Sequence, residues 1–426
     1  MKVTKHLSKL QKNNLANNIR ASIIGYFSTV YITILNPLIL SESGIPIEDV
    51  FFATCITMAL SSYFIAYFVK LPVLSGPTMA LNAYFVTGLC GNLHMSWPEA
   101  LGVTFLSGII ILLLASTNIK SYLLNSIPHE LGHSITYGVG LFLAIIALNC
   151  SSIYNIHKNY FDLQSLGLFT LTLGIILLLE YKKRSGSTII ALTVATIISC
   201  WLNQNIPEHI MHIPNLKFDT LLALQLPNKF DFNIIAALFA VITVVIFDSG
   251  ITGGIMIKEF TKSPEIIKEK TKGIFRAIGL STIAGGLLGT PNTGIYLESL
   301  NINQAKGSST YIVVIIGFLF LATILFEPLI AIIPAASTSA ILFYIAFNIL
   351  KKWQFLKKLA WIDLITSIAI IIVIPFNYSI PDGIGTGVIT HTILTYFFTN
   401  NYKVSNNRLI LCVMFILFFI IKLNIN

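Results

Sequence analysis

The chain has 426 residues, of which 55% are hydrophobic and only 11% are charged, and its mean hydropathy is +0.80. A water-soluble protein of this size cannot cover its surface with so few charged side chains, so the composition indicates a polytopic membrane protein. The formal net charge of +9 would suit a protein that binds nucleic acid, but the positions of the basic residues favour another explanation.

Apolar runs close to the spanning length of about 20 residues recur along most of the chain. They predict fourteen transmembrane spans, at 20–40, 50–69, 75–91, 98–117, 133–150, 165–181, 187–203, 232–257, 274–289, 292–305, 309–333, 335–350, 359–376 and 381–399. A further apolar stretch, 409–424, is predicted either to span the membrane or to lie at its surface. The polar residues before the first span do not resemble a cleavable signal peptide.

The basic residues predict the orientation of these spans. With a cytoplasmic N-terminus, 23 of the 27 lysines and arginines fall in cytoplasmic loops. This asymmetry follows the positive-inside rule. We therefore expect a multi-pass protein of the cell (inner) membrane, in contact with lipid, and we expect no nucleic-acid partner.

The cysteines give no sign of a disulfide or metal framework. They are scattered in or beside the predicted spans without a CxxC spacing, at Cys55, Cys90, Cys150, Cys200 and Cys412. Such isolated cysteines are typical of small buried apolar residues. We expect neither a cofactor nor a bound metal.

The helix-breaking residues indicate an internal repeat. The first span begins near residue 20 and the eighth near 232, while the short third span opens with Ser75-Gly76-Pro77-Thr78 and the short tenth with Thr290-Pro291-Asn292-Thr293. Both pairs are offset by about 212–214 residues. Because seven spans is an odd number, the halves 1–205 and 232–400 would enter the membrane from opposite sides. The predicted fold is therefore an all-α 7+7 inverted repeat whose third and tenth spans are half-helices that meet near the midplane.

Two carboxylates stand alone inside apolar runs. Asp248 and Glu298 each lie at least eight positions from the next charged residue. A carboxylate in the middle of a span costs about 2.5–3.5 kcal/mol on insertion scales and usually faces a pathway or a ligand. Gly250 and Gly253 follow the first acid, and Gly294 precedes the second. The sequence thus predicts a polar binding site near the bilayer midplane.

The half-helices supply further candidate ligand-binding groups. A helix that begins inside the membrane exposes backbone N–H groups that need acceptors in a cavity. Amide, hydroxyl, carboxylate and aromatic side chains accompany them, and the candidate binding residues are Thr78, Asn82, Phe85, Asp248, Thr252, Thr293, Tyr296 and Glu298. This mixture suits a flat, neutral ligand that forms hydrogen bonds, whereas the two acids would repel an anion.

Five segments in order also carry a family resemblance. They are Phe27-Ser28-Thr29 with Asn36-Pro37, Leu71-Pro72 with Ala83-Tyr84-Phe85, Phe247-Asp248-Ser249 with Thr252, Gly289-Thr290 with Thr293, Tyr296 and Glu298-Ser299, and Pro375 with Tyr378-Ser379-Ile380 and Asp382-Gly383. In these segments the chain resembles the nucleobase–cation symporter-2 (xanthine/uracil permease) family, and most of all its hypoxanthine/guanine/adenine permease branch.

This resemblance implies two domains and a transport activity. It implies a core domain from 20–118 and 232–333, a gate domain from 131–204 and 335–400, and proton-coupled import of a purine nucleobase between them; 401–426 would form a separate C-terminal segment, and a homodimer is compatible with it. Asn82, Asp248 and Glu298 fall at the branch's substrate-binding positions. Asp248 is the candidate proton carrier, because burial beside a second acid favours its neutral form.

Three alternatives stay open at this stage. The substrate could be uracil or xanthine, or the chain could be an anion transporter of the same architecture. The third alternative is an intramembrane zinc metalloprotease, because His129-Glu130-Leu131-Gly132-His133 is a literal HExxH motif. On a helix, HExxH places two imidazoles on one face to hold zinc, with the glutamate as the base.

Overall fold

The computed structural model describes residues 2–117, 129–151, 153–155, 160–182, 186–203, 211, 219–227, 232–304, 309–351, 353–398 and 406–423. Its α-helices are α1 (Lys2–Thr29), α2 (Ile32–Ser41), α3 (Ile47–Phe68), α4 (Met79–Tyr84), α5 (Trp97–Ser116), α6 (His129–Asn149), α7 (Leu163–Tyr181), α8 (Ser187–Asn203), α9 (Phe232–Phe260), α10 (Pro264–Leu288), α11 (Ser299–Gln304), α12 (Tyr311–Thr323), α13 (Ala335–Leu350), α14 (Trp361–Phe376), α15 (Ile380–Phe398) and α16 (Asn406–Leu423). A π-helix (Phe85–Asn92) continues α4, and two 3-10 helices cover Ile324–Ile332 and Trp353–Lys358. The strands are β1 (Ser75–Pro77), β2 (Tyr154–Asn155), β3 (Tyr160–Phe161) and β4 (Thr293–Ile295).

The helices confirm the predicted all-helical membrane architecture. Within the described ranges, seven helices are long and apolar enough to cross a membrane, and four shorter helices are also apolar. The helix that contains the ninth predicted span, 274–289, begins ten residues before that span, because α10 starts at Pro264. Proline at the first helical position and Glu265 in the first turn both favour a helix start there.

The first predicted span is interrupted, which the sequence did not indicate. Helix α1 ends at Thr29 and α2 begins at Ile32, although neither glycine nor proline lies between them. The Thr29 hydroxyl donates to the carbonyl of Gly25 at 2.9 Å, and the Thr33 hydroxyl donates to that of Val30 at 2.7 Å. Such side-chain bonds to the backbone compete with regular helical bonding. The break leaves Tyr31 between the two helices.

The third and tenth spans are both broken, as predicted. Each begins with an extended segment, β1 or β4, and continues as a short helix. The two extended segments pair as an antiparallel two-stranded sheet, which brings the two halves of the chain into backbone contact. The half-helices were expected to meet, but this strand pairing was not predicted.

Helix packing separates the structure into two groups. In one, α10 packs against α3 and α5, α12 packs against α1 and α3, and β4 packs against α9 and α10. In the other, α6 packs against α13 and α14, α7 packs against α8 and α13, and α14 packs against α15. The β1–β4 sheet belongs to the first group.

Small residues bring α5 and α10 close together. A Cβ atom added to Gly279 of α10 would lie 2.9 Å from the backbone nitrogen of Leu112 on α5. A Cβ added to Gly108 of α5 would lie 2.8 Å from the nitrogen of Ile283. Close backbone approach through small residues is a common mode of helix association in membranes.

We predict that Gly279→Ala destabilises the protein by about 1–3 kcal/mol, because the added methyl group would force two backbones apart. Gly174→Ala on α7 is the matched control: nothing lies within 4 Å of its added Cβ, so the helix should gain about 0.5–1 kcal/mol. Thermal unfolding of the two purified variants measures the difference. Equal melting temperatures would contradict the close packing described here.

Candidate functional site

The β1–β4 sheet lies at the centre of the candidate site. Gly76 pairs with Gly294, and Pro77 pairs with Thr293. One further backbone bond runs from the Thr78 N–H to the carbonyl of Asn292 at 3.3 Å. The sheet therefore satisfies backbone groups that two broken helices would otherwise leave unpaired inside the membrane.

The two central glycines are required by close contacts. A Cβ on Gly76 would lie 2.6 Å from the Tyr296 hydroxyl oxygen. A Cβ on Gly294 would lie 2.5 Å from the Thr78 methyl group and 2.9 Å from the Ser249 hydroxyl oxygen. No larger residue fits at either position without displacing these side chains.

Asp248 lies on α9 directly beside the sheet. Its Oδ2 atom is 3.5 Å from the point where a Gly294 Cβ would lie, and its side chain is only partly buried. Helix α9 packs against β4, so the carboxylate lies next to the strand of the broken tenth span. The first of the two predicted acids is thus adjacent to the unwound backbone.

Glu298 lies between β4 and α11 and is held by a residue of the first span. The buried Tyr31 hydroxyl donates to Glu298 Oε1 at 2.8 Å. Sequence reasoning missed Tyr31, although a tyrosine in the middle of a membrane span usually needs a hydrogen-bond partner. Tyr31 lies at the junction of α1 and α2, and its hydroxyl reaches the carboxylate from there.

Three polar atoms near the sheet have no hydrogen-bond partner among the described residues. They are Thr78 Oγ1, Asn82 Oδ1 and Ser249 Oγ, and all three residues are buried. Within the part of the chain that the structure describes, the Asn82 amide nitrogen has one polar contact, a long one of 3.9 Å to the Met79 sulfur. Buried polar atoms are nearly always paired, so such a cluster is typical of a site that binds a polar ligand or water.

Two predicted binding residues use their hydroxyl groups to support the backbone. Thr293 Oγ1 lies 2.6 Å from the Ser281 hydroxyl and 3.1 Å from that of Thr282, on α10. The Tyr296 hydroxyl donates to the carbonyl of Pro77 at 2.7 Å and so ties the end of β4 to β1.

The remaining predicted residues lie near the site without a described polar contact. Phe85 is fully buried at the start of the π-helix. Thr252 is half-buried on α9, one helical turn after Asp248. Phe85 directly follows α4, the helix that carries Asn82, and Thr252 lies on the same helix as Asp248. The fold therefore places both side chains near the candidate site.

The described cavities lie away from the two acids. One of about 540 Å³ is bordered by α2, the π-helix and α5, and its lining includes Glu42, Cys90, Met95, Trp97 and Gln225. Another, of about 360 Å³, is bordered by α7, α8 and α13, and its lining includes Asp162, Ser165, Asn203 and Pro334. The candidate site is instead a packed cluster of polar groups around the sheet.

The HExxH motif lies at the start of α6. The side chains of His129 and Glu130 are outside the described residues, and His133 is exposed. Among the side chains that the structure describes, no group of three or more His, Cys, Asp or Glu is arranged to hold a metal ion.

A comparison with known protein families shows which family the chain belongs to. The family model of xanthine/uracil permeases, described as a permease family, matches residues 18–374. The chain belongs to this family. Its members are transporters, so the metalloprotease interpretation of HExxH is wrong and the chain is a permease, not an enzyme.

Curated relatives extend over nearly the whole chain. The adenine permease AdeP of Escherichia coli is 27% identical over 391 residues, which cover 88% of this chain and 87% of the relative. The guanine/hypoxanthine permease PbuO of Bacillus subtilis is 25% identical over 407 residues, covering 91% and 93%. A putative permease of Methanocaldococcus jannaschii, MJ0326, is 27% identical over 401 residues, covering 92% and 91%.

Solved structures confirm the fold. The transmembrane domain of the cyanobacterial bicarbonate transporter BicA matches with a TM-score of 0.66 at 18% identity, over 84% of this chain and 96% of that one. The SLC26A9 structure matches with a TM-score of 0.68 at 16% identity, over 93% and 68%. The chain therefore has the 7+7 fold of a core and a gate domain that these transporters share.

We predict that Tyr31→Phe raises the KM for nucleobase uptake about tenfold or more with little change in maximal rate, because one hydrogen bond to a charged group contributes about 1.5–3 kcal/mol. Tyr26→Phe is the matched control, since the Tyr26 hydroxyl has a similar bond, of 2.8 Å, to Thr323 and none described to Glu298. Uptake kinetics in cells test both. Equal effects of the two substitutions would contradict a specific role for Tyr31.

Proposed function

We propose that this permease imports a purine nucleobase of the hypoxanthine, guanine or adenine type by proton symport. The observation that carries the proposal is the presence of Asp248 and Glu298 beside the paired strands of two broken spans. The names of the relatives AdeP and PbuO support purines as the substrate class.

The chemistry of the cluster fits one edge of a purine. A purine presents ring N–H donors next to carbonyl or imine acceptors. The Glu298 carboxylate accepts one or two of these N–H bonds, which are stronger than bonds between neutral groups. Asn82 has both a donor and an acceptor, so it can pair with a complementary edge. The Thr78 hydroxyl adds a further polar contact.

The other predicted residues have supporting roles in this proposal. Phe85 stacks on the purine ring once the gate has moved away, and Thr252 bonds to the Asp248 carboxylate or to the base. Thr293 and Tyr296 act through the backbone, because their hydroxyls hold β4 against α10 and β1. Their main contribution is the fixed position of Glu298.

Asp248 carries the coupled proton. It is partly accessible, lies in an apolar span and has its Oδ2 atom beside Gly294 of the sheet. One proton that moves down a membrane potential of 100 mV releases about 2.3 kcal/mol, which corresponds to about fifty-fold accumulation of a neutral substrate. This energy is sufficient to concentrate a neutral base inside the cell.

Transport requires the core, which carries the site, to move against the gate. In this proposal the protein lies in the cell (inner) membrane with a cytoplasmic N-terminus and functions as a monomer or homodimer in lipid. Exposed apolar side chains on the outer helices, such as Leu178, Trp201, Phe318 and Phe376, suit contact with lipid.

An anion substrate is disfavoured by the charges at the site. The structural neighbours include a bicarbonate transporter and an anion transporter, but these likenesses concern the fold alone. In this chain two acids border the paired strands, and they would repel an anion. Competition of labelled hypoxanthine uptake by adenine, guanine, xanthine, uracil and bicarbonate tests the substrate class: the first two should compete strongly, and competition by bicarbonate alone would overturn the proposal.

We predict that Glu298→Gln lowers the affinity for hypoxanthine at least tenfold, because the amide loses the charge that strengthens bonds to purine N–H groups. Glu180→Gln is the control, since Glu180 accepts a bond from Ser187 at 2.6 Å within the gate, and the sheet belongs to the other group of helices. Binding of labelled hypoxanthine to purified protein measures both. Unchanged binding by the Glu298 variant would refute its assignment.

We predict that Asp248→Asn abolishes concentrative uptake but retains exchange of labelled for unlabelled purine across proteoliposomes. Asparagine fills nearly the same volume but cannot carry a proton. Wild-type accumulation should collapse when a protonophore is added, whereas exchange should persist. Accumulation by the Asn variant that a protonophore still abolishes would show that another group carries the proton.

A further inference from the structure

The C-terminal helix α16 (Asn406–Leu423) lies beyond the two predicted repeats and beyond the segment matched by the family model. Its 18 residues are about 27 Å long, close to the thickness of the hydrocarbon core. One face is buried, through Leu411, Cys412, Phe415 and Phe418. The opposite face exposes apolar residues that suit lipid, including Ile410, Val413, Leu417 and Ile420. Although α16 is one of the four shorter apolar helices, its length and its buried and exposed apolar faces suit a fifteenth span.

An ion pair fastens one end of α16 to the gate helix α15. The Lys422 ammonium group donates to Asp382 Oδ2, which also accepts a bond from the Asn377 amide at 3.0 Å. The Asp382 side chain is only 1% exposed. A carboxylate buried to this extent needs a compensating charge, and removal of one partner of a buried pair is strongly destabilising.

A second set of polar contacts fastens the other end. Arg408 Nη1 lies 3.3 Å from His391 Nδ1, and His391 Nε2 lies 3.1 Å from Asp363 Oδ1. Because arginine can only donate, His391 accepts at Nδ1 and donates from Nε2 to the carboxylate. This chain of bonds connects α16 to α15 and then to α14.

Between these two ends, the helices touch directly. A Cβ added to Gly385 of α15 would lie 2.6 Å from the ring of Phe415 and 3.0 Å from that of Phe419. The small residue thus lets two aromatic rings pack against the backbone of the gate helix. Helix α16 is held to the gate by charge, hydrogen bonds and close packing along its length.

The contact of α16 with the core helix α9 is of a different kind. The Phe239 ring centroid lies 5.2 Å from that of Phe415 and 5.7 Å from that of Phe418. The contacts that the structure describes between these two helices are aromatic, and none of those is a hydrogen bond or an ion pair. Because apolar contacts are weakly directional, one set of them can be replaced by another at a lower cost in free energy than breaking an ion pair. Phe239 lies on the same helix as Asp248.

We propose that α16 is a fifteenth transmembrane span that moves as part of the gate, and that its aromatic face is a second surface against which the core helix α9 moves during transport. The ionic contacts with α15 persist through the cycle, whereas the Phe239 contacts change. This proposal rests on the transport activity proposed above, and its test separates the two.

Two double-cysteine variants test the proposal in a background in which the five native cysteines are replaced by serine. Phe239→Cys with Phe415→Cys connects α16 to the core helix. Thr392→Cys with the native Cys412, which is kept in that variant alone, connects it to the gate helix, because the Cys412 thiol contacts the Thr392 side chain. Each is linked by a bifunctional methanethiosulfonate reagent that a reducing agent cleaves. Linking the first pair should lower hypoxanthine uptake at least tenfold, reversibly, while linking the second should leave uptake within twofold.

Full uptake after complete linking of the first pair, or reversible loss after linking of the second, would overturn the proposal. Absence of uptake before linking would count against the proposed function instead. In that case spin labels on α16 at Leu417, paired with Ile255 of α9 or Ile393 of α15, give an independent measurement in lipid nanodiscs. The pair with α15 should show one narrow distance population and the pair with α9 more than one; equal distributions would overturn the proposal.

The topology provides a further test that does not depend on substrate. With a cytoplasmic N-terminus, a fifteenth span places Asn426 outside the cytoplasm. Alkaline phosphatase fused after Asn426 should therefore be active, whereas the same enzyme fused after residue 404 should be inactive. An inactive fusion at Asn426 would show that α16 does not cross the membrane.

Discussion

The pairing of β1 with β4 is the constraint on which the rest of the site depends. A membrane span can be broken only where its free backbone groups find partners, and here each broken span satisfies part of the other. Gly76 and Gly294 face each other because no side chain fits between the strands and their neighbours. The sheet holds the starts of α4 and α11 in fixed positions, and with them Thr78, Asn82 and Glu298.

The same framework can serve substrates of different charge. The structural neighbours BicA and SLC26A9 have the same 7+7 fold, and BicA is a bicarbonate transporter. In a site made of helix starts, the exposed N–H groups favour negative charge. In the function proposed here, Asp248 and Glu298 reverse that preference, which makes a neutral base with N–H donors the better ligand. On this proposal, side chains beside the strands, and not the fold, decide the substrate class.

Much of the fold could be predicted from the sequence, because hydrophobic length and helix-breaking residues are local signals. The broken third and tenth spans were found from Ser75-Gly76-Pro77 and Thr290-Pro291, and the two acids from their isolation in apolar runs. The irregular turn between α1 and α2 was missed, because no glycine or proline marks it and only side-chain bonds from Thr29 and Thr33 accompany it. The hydrogen bond from Tyr31 to Glu298 joins residues that are 267 positions apart, which no local pattern can reveal.

The direction of side chains was also beyond sequence reasoning. Thr293 and Tyr296 were predicted as binding residues from their place in a polar motif, yet their hydroxyls bond to α10 and to the carbonyl of Pro77. In an extended segment successive side chains point to opposite sides, so neighbours in a motif face different surroundings. The HExxH motif shows the same limit, since spacing alone suggested a zinc site in a chain that belongs to a permease family.

In the proposed function, an uncharged heterocycle binds inside the membrane between the broken third span and the Glu298 carboxylate that follows β4. A cryo-electron microscopy structure of the purified protein with hypoxanthine tests this most directly. We expect density for the base within hydrogen-bond distance of Glu298 and next to Asn82, beside the paired strands. Density for the base in the cavity bordered by Glu42 and Trp97, with none beside the strands, would contradict it.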